Sequence, residues 1–182
     1  MRKSLTLSLF LTLVVIMHAS ADTPNPDPQR FASQIEAFEN WDQKNSLPND
    51  FVLMLGSSSI RMWPSAESFP ESKIVNRGFG GAHISDLIHY QDRICTSYPP
   101  ARCIVFYCGD NDIAAGKTPK QVLRDFETFK QIVSAHGPQT KLIYIPIKPC
   151  PSRWHLWEES TQVNDAIQAA AKTAPLLQGV RI

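Results

Sequence analysis

Three things are scarce in this sequence: charge of one sign, apolar runs long enough to cross a membrane, and cysteines in pairs. Lysine and arginine total 18 against 17 aspartates and glutamates, a formal net charge of +1. That balance gives no general basic field, so nucleic acid is not an expected partner. The longest apolar stretch, Leu5 to Met17, falls short of the roughly 20 residues needed to span a bilayer, and no stable membrane insertion is expected. The four cysteines include no C-x-x-C pair, which is not the spacing of a zinc site. No metal and no cofactor is inferred.

The apolar stretch is instead read as part of a secretory signal covering residues 1–21. Arg2 and Lys3 give the positive start and Ala19-Ser20-Ala21 gives an A-x-A cleavage site. The mature chain then begins at Asp22, with no cysteine beside it to carry a lipid. A secreted or periplasmic location follows. In an oxidising compartment Cys95, Cys103, Cys108 and Cys150 are expected to pair rather than stay thiols. Their places at element ends predict Cys95 with Cys103 and Cys108 with Cys150.

With 182 residues, 43% of them hydrophobic, the chain fits one α/β domain. Residues 22–28 are proline-rich and read as an extended leader; residues 29–182 form the domain. Phe31, Ile35, Phe38 and Trp41 recur at helical spacing, predicting a helix over about 29–45. Phe51 to Leu55 is a continuous apolar run of the kind buried on both faces of a parallel sheet. A short strand is expected near Lys73–Asn76, a helix over Ile84–Arg93 and a third strand over Cys103–Tyr107.

Thr118-Pro119-Lys120-Gln121 is a helix start, with a capping residue, proline at the first helical position and Gln three residues after the cap. The helix it opens is expected to reach about His136, with Val122, Phe126, Phe129 and Val133 facing the sheet. Leu142–Ile145 predicts a fourth strand, Trp157–Thr173 a last full helix, and Val180–Ile182 the beginning of a further strand. Alternating strands and helices imply a mostly parallel sheet with helices on both faces, whose sites lie outside the carboxyl ends of the strands.

Three segments fall at such ends: Gly56-Ser57-Ser58-Ser59, Asn76-Arg77-Gly78-Phe79-Gly80-Gly81 and Gly109-Asp110-Asn111-Asp112. They bring a hydroxyl nucleophile, a glycine N–H and a side-chain amide, the parts needed to attack an ester and to stabilise the oxyanion that develops. Each has a plainer reading. Ser58 or Ser59 is a good helix cap, Gly81 suits a turn of positive φ, and Gly-Asp-Asn-Asp is turn-prone or calcium-liking. The third segment lacks the further spaced oxygen ligands of a calcium loop.

In order and spacing these three segments resemble the blocks of the SGNH, or GDSL-like, hydrolases, a family of esterases and lipases. The resemblance runs from about Phe51 onward. It implies a three-layer flavodoxin-like fold with a mostly parallel five-stranded sheet, its last strand and helix incomplete here. It also implies Ser58 as nucleophile, placed on a strand-to-helix turn, with the N–H groups of Ser58 and Gly81 and the side-chain amide of Asn111 as oxyanion donors. Where the family more often has Asp, this chain has Ser57; Ser57 and Ser59 are hydroxyls too.

The family's fourth block, an Asp followed within a few residues by the His that serves as base, is not found within residues 1–182. Of the histidines present, His83 and His155 are the two expected nearest the mouth of the site. Trp154 and Trp157 are candidates to line an acyl or sugar pocket. The expected activity is hydrolysis of a small-molecule ester of a lipid, an aryl alcohol or an acetylated sugar, nearly lost in a chain without its base. The alternatives are a non-catalytic binding protein and a carbohydrate acyltransferase on the same fold. Oligomeric state is left open.

Overall fold

The computed structural model describes residues 21–180; the expected signal segment falls almost wholly outside the described residues, as do Arg181 and Ile182. Five strands, β1 (Val52–Gly56), β2 (Ile74–Asn76), β3 (Cys103–Tyr107), β4 (Lys141–Tyr144) and β5 (Leu177–Gly179), form one sheet in the order β2-β1-β3-β4-β5. Every pairing is parallel. This order is the flavodoxin-like one, in which the connections reverse direction between β1 and β3 and open a crevice at the strand ends. Val52 pairs with Cys103 and Gly56 with Tyr107, so these two central strands end level with each other at that crevice.

The helices are α1 (Ala32–Lys44), α2 (Ser58–Arg61), α3 (Ser65–Ser68), α4 (Ile84–His89), α5 (Gln91–Ile94), α6 (Asp110–Ala114), α7 (Pro119–His136) and α8 (Trp157–Ala171). The sequence of α7 dictates its start and its buried stripe. Gln121 N–H donates to Thr118 Oγ1 while Thr118 N–H donates to Gln121 Oε1, and Pro119 takes the first helical place. Val122, Phe126, Phe129 and Val133 recur every three or four residues and are all buried, each contributing roughly 1.5–3 kcal/mol by leaving water.

Alternate residues of a strand point to opposite faces, and the two faces of this sheet differ. Leu53, Leu55, Ile104, Phe106, Leu142 and Tyr144 join the residues of α1, α4, α7 and α8 in the main core. On the other side Val52, Met54 and Tyr107 meet Ile60 of α2, with Trp63, Ile74, Val105 and Ile145 only half-buried. The expectation of helices on both faces therefore holds unevenly: the long helices crowd one face, and the second layer is the short α2 with its neighbours.

Other expectations shift by a turn or a few residues. The single helix expected over Ile84–Arg93 is two, α4 and α5, divided at Tyr90, whose backbone (φ −97°, ψ 10°) leaves the helical range. Tyr90 is buried and its hydroxyl donates to the Pro28 carbonyl at 3.0 Å, which fixes the break. Among the described residues the last strand is Leu177–Gly179, with Leu177 the buried partner of Leu142, while Arg181 and Ile182 of the strand expected at Val180–Ile182 lie outside the described residues. Trp41 is half exposed, with the Arg77 guanidinium 5.0 Å from its ring, instead of joining the core face of α1. The leader is pinned down: Thr23 Oγ1 donates to Gly116 O at 2.8 Å and Gln121 Nε2 to Thr23 O at 3.2 Å.

The cysteine pairing expected from sequence is not what the structure has, since all four are free thiols. Cys95 is buried in the main core while Cys103, on β3, packs on the opposite face of the sheet. Cys108 is enclosed, its thiol donating to the Ala82 carbonyl at 3.3 Å, whereas Cys150 faces a cavity.

Candidate active site

At the exit of β1 the backbone is dictated by one close approach. Gly56 has φ +149°, and a Cβ there would lie 2.0 Å from the Tyr107 carbonyl oxygen. With that contact possible, Ser57 N–H donates to the same carbonyl at 3.0 Å, locking the end of β1 to the end of β3. Ser57 is fully buried and its hydroxyl donates to Asp110 Oδ1 at 3.3 Å. Ser58 comes next, half-buried, as the first residue of α2. That helix is a single turn, so a macrodipole adds little at Ser58; its bare N–H is the local donor.

After β2 the chain turns back onto this unit, Phe79 N–H donating to the Gly56 carbonyl at 3.0 Å. Gly81 has φ +84° with open space where a Cβ would stand, so conformation rather than crowding calls for glycine there. Neither the Ser58 nor the Gly81 N–H donates to a backbone carbonyl among the described residues.

The third segment splits between surface and interior. Asp110 and Asn111 face the crevice, whereas Asp112 is fully buried and accepts from Ile84 N–H at 3.1 Å and from Lys117 Nζ at 2.9 Å. Lys117 Nζ also donates to Asp125 at 2.7 Å. Burial pulls the Lys117 ammonium down, but the two carboxylates outweigh it and hold its pKa above the ordinary value.

His83 lies beside this network, its Nδ1 3.6 Å from Asp112 Oδ1. Burial lowers its pKa, against the pull of Asp112. Its neighbour Asp86 has a raised pKa, again through burial, although it accepts from His83 N–H at 2.8 Å.

Ser58, Ser59, Tyr107, Asn111, Lys148 and Arg153 line a cavity of about 260 Å³ in the crevice. Burial pushes the Tyr107 phenol up to about 12, so it is a neutral hydrogen-bonding group at the wall. Lys148 Nζ donates to Ser59 Oγ at 2.7 Å and sits 4.9 Å from the Tyr107 ring. A larger open groove of about 650 Å³ between α1 and α5 contains none of the three segments.

Ser58 and Asn111 thus share one cavity, and Gly81 is brought alongside through its neighbour: Asn111 Nδ2 donates to the Ala82 carbonyl at 3.1 Å. Gly81 itself is not among the lining residues. Nor are the two histidines expected near the mouth: His83 is buried behind the site, and His155 is exposed on the 3-10 turn Pro151–Leu156. Trp157 lines the cavity, and Trp154 stacks on it at 6.1 Å while remaining exposed.

The residues that sequence reasoning passed over are Asp110, Lys148 and Arg153. Arg153 Nη1 donates to Asp110 Oδ2 and Nη2 to Asn111 Oδ1, both at 3.0 Å. The signal for them was available: Lys148 to Arg153 follows β4 just as the three chosen segments follow β1, β2 and β3, and the rule that sites gather at carboxyl ends applies to all four. The backbone there is held by Asn164 of α8, whose Oδ1 accepts from Ile147 N–H at 2.8 Å and whose Nδ2 donates to Ile147 O at 2.9 Å.

Neither a protein-family model nor a curated protein sequence matches the chain. Solved structures do. A GDSL-like lipase from Bacteroides thetaiotaomicron is similar with a TM-score of 0.65 at 17% identity, over 85% of this chain and 77% of that one. A protein from Streptococcus pneumonia, provisionally described as a platelet activating factor, gives 0.67 at 23% identity over 82% and 80%. A member of the lipolytic G-D-S-L family from Veillonella parvula gives 0.62 at 19% identity over 71% and 75%. Sheet order, strand-end crevice and these likenesses lead to one conclusion about architecture: the chain has the SGNH, or GDSL-like, hydrolase fold.

Proposed function

We propose that the protein is a secreted serine esterase of the SGNH type, acting on small-molecule esters. In this reading Ser58 Oγ attacks the ester carbonyl, and the charge that develops on the carbonyl oxygen is met by the N–H groups of Ser58 and Gly81 and by Asn111 Nδ2. Collapse expels the alcohol, and water then releases the acid from the acyl-enzyme. The observation that carries the reading is the pairing of Ser58 and Asn111 on the wall of one cavity, with the Asn111 amide hydrogen-bonded to the loop that holds Gly81. No histidine among the described residues lines that cavity. The family's Asp-x-x-His block, its usual source of the general base, is not found within residues 1–182.

A binding protein that keeps the cavity without turnover is the second reading, and the absence of a cavity histidine among the described residues favours it. Hydrolysis of an aryl acetate by the protein as encoded, beside its Ser58→Ala variant, separates the two. The esterase reading expects the variant to lose at least about 10³-fold in kcat. Equal rates would leave the binding reading in place. Acyl release that depends on an added sugar acceptor would mark a carbohydrate acyltransferase.

A further inference from the structure

An oxyanion donor made from an asparagine side chain has a weakness that a backbone N–H lacks. Rotated by half a turn about its last bond, the amide occupies almost the same space but presents an oxygen where it had presented an NH2 group. One orientation stabilises an oxyanion and the other repels it. Something in the protein must choose between them.

At Asn111 the choice is made by partners with no freedom of their own. The Arg153 guanidinium can only donate, and its Nη2 lies 3.0 Å from Asn111 Oδ1. The Ala82 carbonyl can only accept, and it lies 3.1 Å from Asn111 Nδ2. The flipped amide would set donor against donor and acceptor against acceptor, losing both bonds. In the orientation observed, one Nδ2 hydrogen is committed to Ala82 and the second is left for the cavity that Asn111 lines.

Arg153 is itself fixed. Its other arm, Nη1, donates to Asp110 Oδ2 at 3.0 Å, and Asp110 Oδ1 accepts from the buried Ser57 hydroxyl at 3.3 Å. A planar two-armed cation therefore spans two consecutive side chains, Asp110 and Asn111. One continuous hydrogen-bonded path runs from Ser57 beside the nucleophile, through Asp110, Arg153 and Asn111, to Ala82 beside Gly81. A lysine ammonium is a point charge without that planar fork and is poorly suited to bridging both.

We infer that Arg153 is a positioning residue of the proposed esterase site: its guanidinium holds the Asn111 side-chain amide with the NH2 end toward the oxyanion position. The inference rests on the esterase reading for its consequence in catalysis, but the orientation of the amide is a property of the protein alone. Arg153 sits on an exposed 3-10 turn and contributes no core packing, so its variants are expected to fold.

Two measurements on the protein as encoded test it. In the aryl acetate assay, Arg153→Gln is expected to lower kcat about 10²-fold, as removal of an oxyanion donor does, with KM changed less than about threefold. Arg153→Lys keeps the charge and is expected to be as impaired as Arg153→Gln. A lysine variant that restores kcat, or a loss confined to KM, would show that the arginine acts by charge or by binding substrate, and would overturn the inference. Independently of turnover, solvent exchange of the Asn111 side-chain amide protons followed by NMR is expected to be at least about tenfold faster in Arg153→Gln than in the unaltered protein. Unchanged exchange also overturns it. If Ser58→Ala hydrolyses as fast as the unaltered protein, the esterase reading fails, and the exchange measurement still decides the orientation.

Discussion

Ser57 and Asp110 meet across the seam between β1 and β3, the buried hydroxyl donating to the carboxylate at 3.3 Å. The contact joins the segment that carries the proposed nucleophile to the segment that carries Asn111. The three adjacent serines are therefore not equivalent. Ser57 ties the two strand exits together, Ser58 faces the cavity, and Ser59 accepts from Lys148 at 2.7 Å.

That division predicts distinct effects on substitution. Ser57→Ala removes one buried hydrogen bond and is expected to cost about 1 kcal/mol of stability while leaving measurable Ser58-dependent hydrolysis. Urea unfolding and the aryl acetate assay together check it. A Ser57→Ala protein as inactive as Ser58→Ala would move the nucleophile to Ser57.

Gly56→Ala is expected to be among the most damaging single substitutions in the chain. The added methyl would stand 2.0 Å from the Tyr107 carbonyl oxygen, a backbone atom fixed in the central strand β3, at a φ of +149° that side chains rarely adopt. A loss of roughly 3 kcal/mol or more is expected, read as a fall in the urea midpoint. A midpoint close to that of the unaltered protein would mean that β1 and β3 can separate at their ends.

Lys117 is enclosed between Asp112 and Asp125, with about 1% of its side chain exposed and none of Asp112. Lys117→Met leaves the Asp112 carboxylate buried without its cation, and a loss of about 3–5 kcal/mol is expected. Asp112 also receives the N–H of Ile84, so the variant is expected to loosen the start of α4. Amide exchange at Ile84 checks the second effect and urea unfolding the first.

His83 sets a pH dependence of stability. Its folded pKa lies below the ordinary value of 6.5 because burial disfavours the cation, with Asp112 opposing and Lys117 and Arg30 adding to the shift. Between the folded and unfolded values the unfolded chain binds more protons, so stability rises with pH through that window and falls as the medium is acidified from the ordinary value of 6.5 toward the lower, folded one. Asp86 acts in the opposite sense in a more acidic range, since its raised pKa means that stability falls as pH rises from its ordinary 3.8 through its folded value. Thermal unfolding of His83→Gln is expected to show a shallower loss between pH 7 and pH 5 than the unaltered protein. A parallel pair of curves would place the proton uptake elsewhere.

How far the sequence reveals the molecule depends on how local the cause is. The runs at Phe51–Leu55 and Cys103–Tyr107 announce central strands because a strand buried on both faces must be apolar at every position. Thr118 to Gln121 announces α7 because the cap and its reply lie three residues apart. The break at Tyr90 is invisible by the same measure: its cause is a hydrogen bond to Pro28, 62 residues away in the chain. The cysteines were misread for a similar reason, since sequence position places Cys95 and Cys103 at neighbouring element ends but says nothing about which face of the sheet each side chain enters. At the candidate site, the motifs that place Ser58 and Asn111 on one cavity are legible in the sequence, whereas the contacts of Asp110 and Arg153 join separate segments, which no spacing encodes.

The grip of Asn164 on the backbone of Ile147 divides the crevice into two parts of different character. Upstream of that anchor, the strand ends are joined to one another by main-chain contacts, such as Ser57 to Tyr107, that depend on Gly56 alone for their closeness. Downstream, Lys148 and Arg153 are tied to the other segments by side-chain hydrogen bonds, to Ser59 and to Asp110 and Asn111. On the proposed reading, Ser58 and Asn111 belong to the rigid part, and much of the surface that an ester would meet belongs to the adjustable one. Under the esterase reading, selectivity can accordingly drift, or be engineered, along the other residues of that ten-residue stretch, Lys148 to Trp157, whereas Arg153 has to be kept because it holds the Asn111 amide.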